Sequence, residues 1–102
     1  MVCEIVWSEF ALQSFLSNID YLKSKWTEAE VDKFTTATNE ILKLLILQPK
    51  IGRLTSQRAF LRKILVSKRI IFIYRFNPSV NPIELVQFFN TWQHPDKRKD
   101  SA

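Results

Sequence analysis

Hydrophobic residues recur with a helical period in the first half of this chain. Steps of three and four positions separate the members of two sets: Leu12, Phe15, Leu16, Ile19, Leu22 and Trp26, and then Val31, Phe34, Thr38, Ile41, Leu42 and Leu45. Such spacing places each set on one side of an amphipathic helix. Ser8 is predicted to cap a first helix over residues 9–26. Thr27 and Glu30 match a capping box for a second helix, which Pro49 ends.

The second half alternates apolar and other residues with the period of a β-strand. With a short segment at the start, strands are predicted over residues 2–7, 60–66, 69–76 and 83–89. Residues 50–59 are predicted to form a loop, residues 67–68 a tight hairpin turn and residues 77–82 a further turn. The order β-α-α-β-β-β predicts an α+β domain, in which a helical hairpin packs on one face of a mostly antiparallel four-stranded sheet.

Composition sets limits on the class of protein. A chain of 102 residues, 46% of them hydrophobic, suits one domain, expected over residues 1–95 with a polar tail over residues 96–102. One cysteine and one histidine are too few for an internal disulfide or an ordinary zinc site; Cys3 is expected to be a small buried residue, and no cofactor is expected. No apolar run approaches the ~20 residues of a membrane span, so we expect a soluble, cytoplasmic protein without membrane contact.

The charges are distributed unevenly. The formal net charge is +5, yet the first forty residues hold seven acids and only three lysines. Between Glu40 and Glu84 there is no acid, and the cations there are Lys43, Lys50, Arg53, Arg58, Arg62, Lys63, Lys68, Arg69 and Arg75. A basic block interleaved with strand-like apolar residues indicates a surface that meets polyanions, either nucleic acid or an acidic protein.

Alternation within the third predicted strand indicates on which face of the sheet its basic residues and their neighbours lie. The bulkier, uncharged set is predicted to face the helices: Ile70, Phe72, Tyr74 and Phe76. Arg69 and Arg75 then project from the open face, joined by Arg62 or Lys63 according to the register, with Arg53 and Arg58 at the rim. Guanidinium groups there can grip phosphate and stabilise a phosphoryl transition state. Burial of Arg69 and Arg75, or their pairing with carboxylates of this chain, would contradict the interpretation.

His94 and Trp92 follow the last predicted strand, and each of them has two possible roles. An unperturbed histidine has a pKa that suits proton transfer, but a single histidine in a terminal loop, such as His94, is more often simply exposed. Trp92 is either a stacking platform for a base or a cover for the edge of the core.

The motifs of this chain resemble those of the RelE/ParE superfamily of bacterial toxins. At the start, the resemblance is carried by Trp7-Ser8, Ala11 and the helical stripe to Tyr21. In the second half it is carried by Leu61-Arg62-Lys63-Ile64-Leu65-Val66, Arg69-Ile70-Ile71-Phe72-Ile73-Tyr74-Arg75, Val86-Gln87-Phe88-Phe89-Asn90-Thr91 and Pro95. The match runs from about Val2 to Pro95, and the family's fold has the same order of elements.

The resemblance implies a toxin of a type II toxin–antitoxin pair. RelE-like members cut messenger RNA on the ribosome without metal, through attack of a ribose 2′-hydroxyl on the adjacent phosphate. Carried over, this makes Arg62, Arg75 and His94 the candidate catalytic residues. Arg53, Arg58, Lys63 and Arg69 become candidate nucleic-acid ligands. The antitoxin is expected to cover the basic face with an acidic segment.

The end of the chain departs from the family pattern and leaves three hypotheses open. Many relatives have an arginine where this chain has Trp92, and no tyrosine follows it. The first hypothesis is a ribosome-dependent endoribonuclease. The second is a ParE-like inhibitor of DNA gyrase that acts without chemistry. The third is a degenerate toxin that only binds its antitoxin.

Overall fold

The computed structural model describes residues 4–56, 58–67 and 69–91. Its elements are β1 (Ile5–Trp7), α1 (Glu9–Lys25), α2 (Glu28–Leu47), β2 (Arg53–Ser56), β3 (Leu61–Ser67), β4 (Ile70–Asn77) and β5 (Val80–Asn90). The α+β class and the helical hairpin against one face of the sheet are confirmed. Within the described ranges the sheet has five strands rather than four, in the order β1-β5-β4-β3-β2. The predictions for Cys3, Trp92, His94 and the tail lie outside these ranges.

The two helices begin where the capping signals predict, but only one cap is a side chain. The Ala11 N–H donates to Ser8 Oγ at 3.0 Å, so Ser8 satisfies one of the free amides at the start of α1. Thr27 occupies the N-cap position of α2, yet its side chain makes no capping hydrogen bond, so the predicted capping box is not formed. Pro49 follows the end of α2, as predicted. No described helix is long and apolar enough to cross a membrane.

The buried face of α1 matches the predicted stripe only in part, since Phe15, Ile19 and Leu22 pack into the core but Leu12 and Leu16 do not. Residues buried there are Ala11, Asn18 and Leu22, whereas Leu12 and Leu16 are 47% and 51% exposed. One residue corresponds to a rotation of about 100° around a helix, so the row of Ala11 and the row of Leu12 cannot both face the sheet. The predicted inner face of α2 is confirmed, because its buried residues are Phe34, Thr38 and Leu45.

Asn18 is buried because α1 covers an edge of the sheet. Strand β1 pairs with β5 only as far as Leu85. Beyond that point the Asn18 Nδ2 group donates to the Phe88 carbonyl at 3.0 Å, and the Phe88 N–H donates to Ser14 Oγ at 3.0 Å. Two helix side chains thus take the place of a neighbouring strand, which satisfies backbone groups that burial would otherwise leave unpaired.

The register of β3, β4 and β5 determines the two faces of the sheet. Ile64 pairs with Phe72, and Phe72 pairs with Phe88. Because Phe72 and Phe88 are buried, this row faces the helices. Their rings stack with centroids 4.8 Å apart and belong to an aromatic core that also includes Trp7, Phe15 and Phe34. The prediction that Phe72 and Tyr74 face the helices is confirmed, and alternate residues form the open face.

Strand β2 corrects the prediction of a loop over residues 50–59. It pairs antiparallel with β3 at the edge of the sheet, with Arg53 opposite Lys63 and Leu54 opposite Arg62. Its first three residues are exposed, so no buried face produces the apolar alternation on which strand prediction depends. The connection to β3 passes through Phe60, whose φ of 57° is unusual for a bulky residue.

A β-bulge interrupts the regular alternation of side chains along β5. Tyr74 pairs with Leu85 and Ile73 pairs with Gln87, so Val86 is the extra residue. Before the bulge, Leu85 faces the helices; after it, the facing position moves to Phe88. Regular alternation along the strand would place Gln87 on the same side as Leu85. The bulge turns Gln87 to the open face instead.

Candidate functional site

The open face of the sheet carries a groove between β2 and β5. Its volume is about 420 Å³, and it is lined by Arg53, Leu54, Thr55, Leu61, Lys63, Ile71, Ile73, Val86, Gln87 and Phe89. Apolar side chains of the three central strands form its floor. The two cations are the only charged residues in this lining. The groove therefore offers an apolar surface bordered by positive charge.

Arg53 and Lys63 enter the groove because they are cross-strand partners. The register of β2 and β3 places them directly opposite each other. Residues in this relation have Cβ atoms about 4.5–5.5 Å apart and project to the same side. Lys63 is in turn paired with Ile73 of the open-face row, which decides the alternative between Arg62 and Lys63 in favour of Lys63. Two adjacent cations can share one phosphate group.

Arg62 lies on the opposite side of β3, facing the helices. Its register partner is Tyr74, which is fully buried. The Arg62 guanidinium donates from Nη1 to the Gly52 carbonyl at 2.7 Å and to the Lys50 carbonyl at 3.2 Å. The structure therefore separates Arg62 from the groove that holds Arg53 and Lys63.

Tyr74 lies beside Arg62 and contacts the same backbone segment. Its hydroxyl donates to the Pro49 carbonyl at 2.7 Å and accepts the Gly52 N–H at 2.9 Å. Burial raises the pKa of this hydroxyl above its ordinary value, against the opposing effects of the Gly52 hydrogen bond and of the Arg62 charge. The phenol thus stays neutral and keeps its proton for donation.

Arg75 is exposed on the open face but does not stand free. Its guanidinium forms an ion pair with Glu84, its register partner on β5. Its Nε–H also donates to the Ala59 carbonyl at 3.2 Å. The outward position agrees with the prediction, whereas the pairing with Glu84 contradicts the predicted free access of Arg75 to phosphate. Both side chains are more than 40% exposed, so water screens the pair.

Arg58 and Arg69 are not brought into the groove. Arg58 is exposed in the turn that follows β2, and Arg69 is exposed just before β4. Neither lines the groove. His94 lies outside the described residues. Over the described ranges, no three His, Cys, Asp or Glu side chains come close enough to hold a metal ion.

Sequence reasoning missed Gln87 and Phe89 as site residues. Both line the groove, on the open side of β5 that the bulge exposes. No signal in the sequence reveals this bulge, since Val86, Phe88 and Phe89 are all apolar and fit either register. In the sequence, Glu84 is distinguished only as the acidic residue that ends the acid-free block.

Comparison with known proteins gives matches of structure and none of sequence. No family model matches the chain, and no curated protein matches it in sequence. Among solved structures it is similar to the YoeB/ParE toxin from Agrobacterium tumefaciens, with a TM-score of 0.58 and 14% sequence identity. The alignment covers 85% of this chain and 96% of that toxin. The chain therefore shares the fold of that toxin. The predicted resemblance is thus confirmed at the level of the fold.

Proposed function

We propose that this chain is the toxin of a type II toxin–antitoxin pair and that the open-face groove is its working surface. The fold it shares with the YoeB/ParE toxin supports the general assignment. The role of the groove as the working surface is supported by Arg53 and Lys63, which lie opposite each other on β2 and β3 beside an apolar floor. A single strand of nucleic acid needs both features, because its phosphates bind cations and its bases stack on apolar or aromatic surfaces.

Ribosome-dependent cleavage of messenger RNA is the activity that we infer for this surface. In that reaction a ribose 2′-hydroxyl attacks the adjacent phosphate, and negative charge grows on the phosphoryl oxygens. Cations fixed beside that phosphate stabilise the transition state more than the ground state. Arg53 and Lys63 are the described residues suited to this role. Proton transfer by His94 stays a prediction.

Arg62 and Arg75 take different places in this proposal from those predicted. Arg62 already donates to two backbone carbonyls on the helix side, so we assign it to supporting the site rather than to binding phosphate. Arg75 would have to exchange Glu84 for a phosphate before it could contribute. The exchange is feasible because the pair is partly exposed, where ion pairs are weak.

Inhibition by binding alone is a second candidate, favoured by the Arg75–Glu84 ion pair. A toxin that occludes DNA gyrase or another target needs a complementary surface but no group poised for proton transfer. An ion pair that lowers the positive charge of the open face suits a protein partner better than a polyanion. In either case the antitoxin is expected to present an acidic segment to Arg53 and Lys63, in an association that weakens as salt is raised.

Controlled expression in bacteria tests the proposal. We expect growth arrest with new 5′ ends in ribosome-bound messages, mapped by primer extension. Arg53→Ala and Lys63→Ala should each abolish the arrest, while Lys43→Ala removes the same charge from the exposed surface of α2 and should leave it intact. Arrest of replication with intact messages would support the inhibitor instead. Normal growth with full expression would refute a toxic activity for this chain.

A further inference from the structure

Residues 49–52, the last four of the connection between α2 and β2, are held by two side chains of the sheet. Tyr74 and Arg62 are register partners on β4 and β3. Tyr74 makes hydrogen bonds of 2.7 and 2.9 Å to Pro49 and Gly52, and Arg62 makes bonds of 3.2 and 2.7 Å to Lys50 and Gly52. The segment therefore receives four hydrogen bonds from the sheet. Such bonds fix a backbone that otherwise has no regular partner.

The same segment leads directly into the edge strand that carries Arg53. Strand β2 has four residues and pairs with β3 alone, and its register shifts between Leu54 and Ser56. Short edge strands of this kind open easily. The position of Arg53 thus depends on the segment before it as well as on β3. Lys63 belongs to β3, which has neighbours on both sides.

The anchor of this arrangement is rigid. Tyr74 is fully buried, and its ring stacks on Phe72 with centroids 5.6 Å apart. Gly52 permits the close approach, because a Cβ there would lie 2.7 Å from the Tyr74 hydroxyl. The hydroxyl remains a donor since burial raises its pKa. Arg62 adds a second tether to the Gly52 carbonyl.

We propose that Tyr74 and Arg62 are positioning residues, which fix the 49–52 segment and thereby hold Arg53 beside Lys63 in the groove. The consequence of this inference for RNA binding rests on the proposed function. Its structural half, that the two side chains fix the point where β2 begins, does not depend on that function. The two side chains touch no substrate, so they act through Arg53.

Hydrogen exchange tests the structural half in the full chain. Tyr74→Phe removes the hydroxyl while keeping the ring, and Arg62→Met removes the guanidinium at similar length. In each variant we expect the amides of residues 52–54 to exchange on the order of tenfold faster, the effect of losing one or two hydrogen bonds. Amides at the centres of β4 and β5 should keep their protection. Unchanged exchange at residues 52–54 in a folded variant, or a uniform increase over the whole sheet, would overturn the inference.

Salt-dependent binding tests the functional half. The probe is a short fluorescein-labelled single-stranded oligouridine, measured by anisotropy between about 50 and 200 mM salt. Arg53→Ala should lower the slope of log K against log salt by about 0.7, the value for one phosphate contact to a single strand. Tyr74→Phe should lower the slope by up to that amount in wild-type protein and in a Lys63→Ala background. In an Arg53→Ala background it should have no further effect.

The pattern of coupling separates positioning from general destabilisation. Equal losses from Tyr74→Phe in the Arg53→Ala and Lys63→Ala backgrounds would overturn the inference, since a loosened fold would affect both cations alike. If the wild-type chain binds no RNA, the RNA-binding part of the proposed function fails. Hydrogen exchange at residues 52–54 then decides the positioning of β2 by itself.

Discussion

Substitution of Gly52 by alanine is expected to destabilise the fold through a direct clash with Tyr74. A Cβ at position 52 would lie 2.7 Å from the Tyr74 Cε1 atom and its hydroxyl, and 3.0 Å from Cζ. Ordinary contacts of this kind are about 3.5–4.0 Å, so one group must move by nearly 1 Å. Gly52 has no positive φ, and backbone strain therefore adds nothing to the cost.

The size of the destabilisation follows from the groups that the new Cβ atom must displace. The Tyr74 ring is fully buried against Phe72 and cannot retreat without disturbing the core. Overpacking of this type costs about 1–3 kcal/mol. Displacing the hydroxyl also weakens two hydrogen bonds, to Pro49 and Gly52, worth about 1 kcal/mol each. The lower entropy of alanine in the unfolded chain offsets about 0.4–1 kcal/mol. We expect a net loss of about 1–4 kcal/mol.

Thermal and urea denaturation measure this loss. For a domain of this size about 1 kcal/mol corresponds to about 4–8 °C in Tm, so Gly52→Ala should melt at least about 4 °C below wild type. Lys50→Ala, an exposed site in the same segment, is the matched control. In a Tyr74→Leu background, which removes the ring, the cost of Gly52→Ala should fall below about 1 kcal/mol. An equal cost in both backgrounds would refute the clash as its cause.

Three further predictions follow from individual contacts. Ser8→Ala should lower the free energy of unfolding, measured by urea denaturation, by about 1 kcal/mol because it removes the cap of α1. Thr27→Ala should lower it little, since no capping bond is lost. Equal losses in the two variants would contradict these contacts. Glu84→Gln should free Arg75 and strengthen binding of single-stranded RNA at low salt; weaker binding would show that Glu84 itself serves the site. The raised pKa of Tyr74 gives stability that is present below pH 10.0 and lost above it, so wild type should lose more stability than Tyr74→Phe between pH 9 and 11.

The sequence predicts most of the fold because burial leaves a periodic trace. The helices, the three long strands and the side of β4 that meets the helices all follow from apolar spacing. Strand β2 leaves no such trace, as its exposed Arg-Leu-Thr segment has no buried face. Leu12 and Leu16 mislead for the opposite reason, because apolar residues on a helix need not be buried.

The site is harder to predict than the fold because it depends on pairing between strands. Arg62 and Lys63 are adjacent cations in the sequence, yet they project to opposite faces, and only the register with Tyr74 and Ile73 shows which face each occupies. Arg75 and Glu84 are nine positions apart but lie opposite each other across a hairpin. Charge counted along the chain therefore differs from charge presented by the sheet.

This difference limits how strongly the groove can bind a polyanion. Nine cations acting together on a single strand would give a salt slope of about 6, at about 0.7 for each phosphate contact. Arg62 is occupied by carbonyl groups and Arg75 by Glu84, which leaves Arg53 and Lys63 in the groove. The slope should then be about 1.4, rising to about 2.8 if the exposed Arg58 and Arg69 also reach phosphates. A site with so few phosphate contacts must draw the rest of its affinity from its apolar floor, so Phe89→Ala should weaken binding without changing the slope. A measured slope near 6 would mean that the whole basic block acts as one surface, contrary to the sidedness of the sheet.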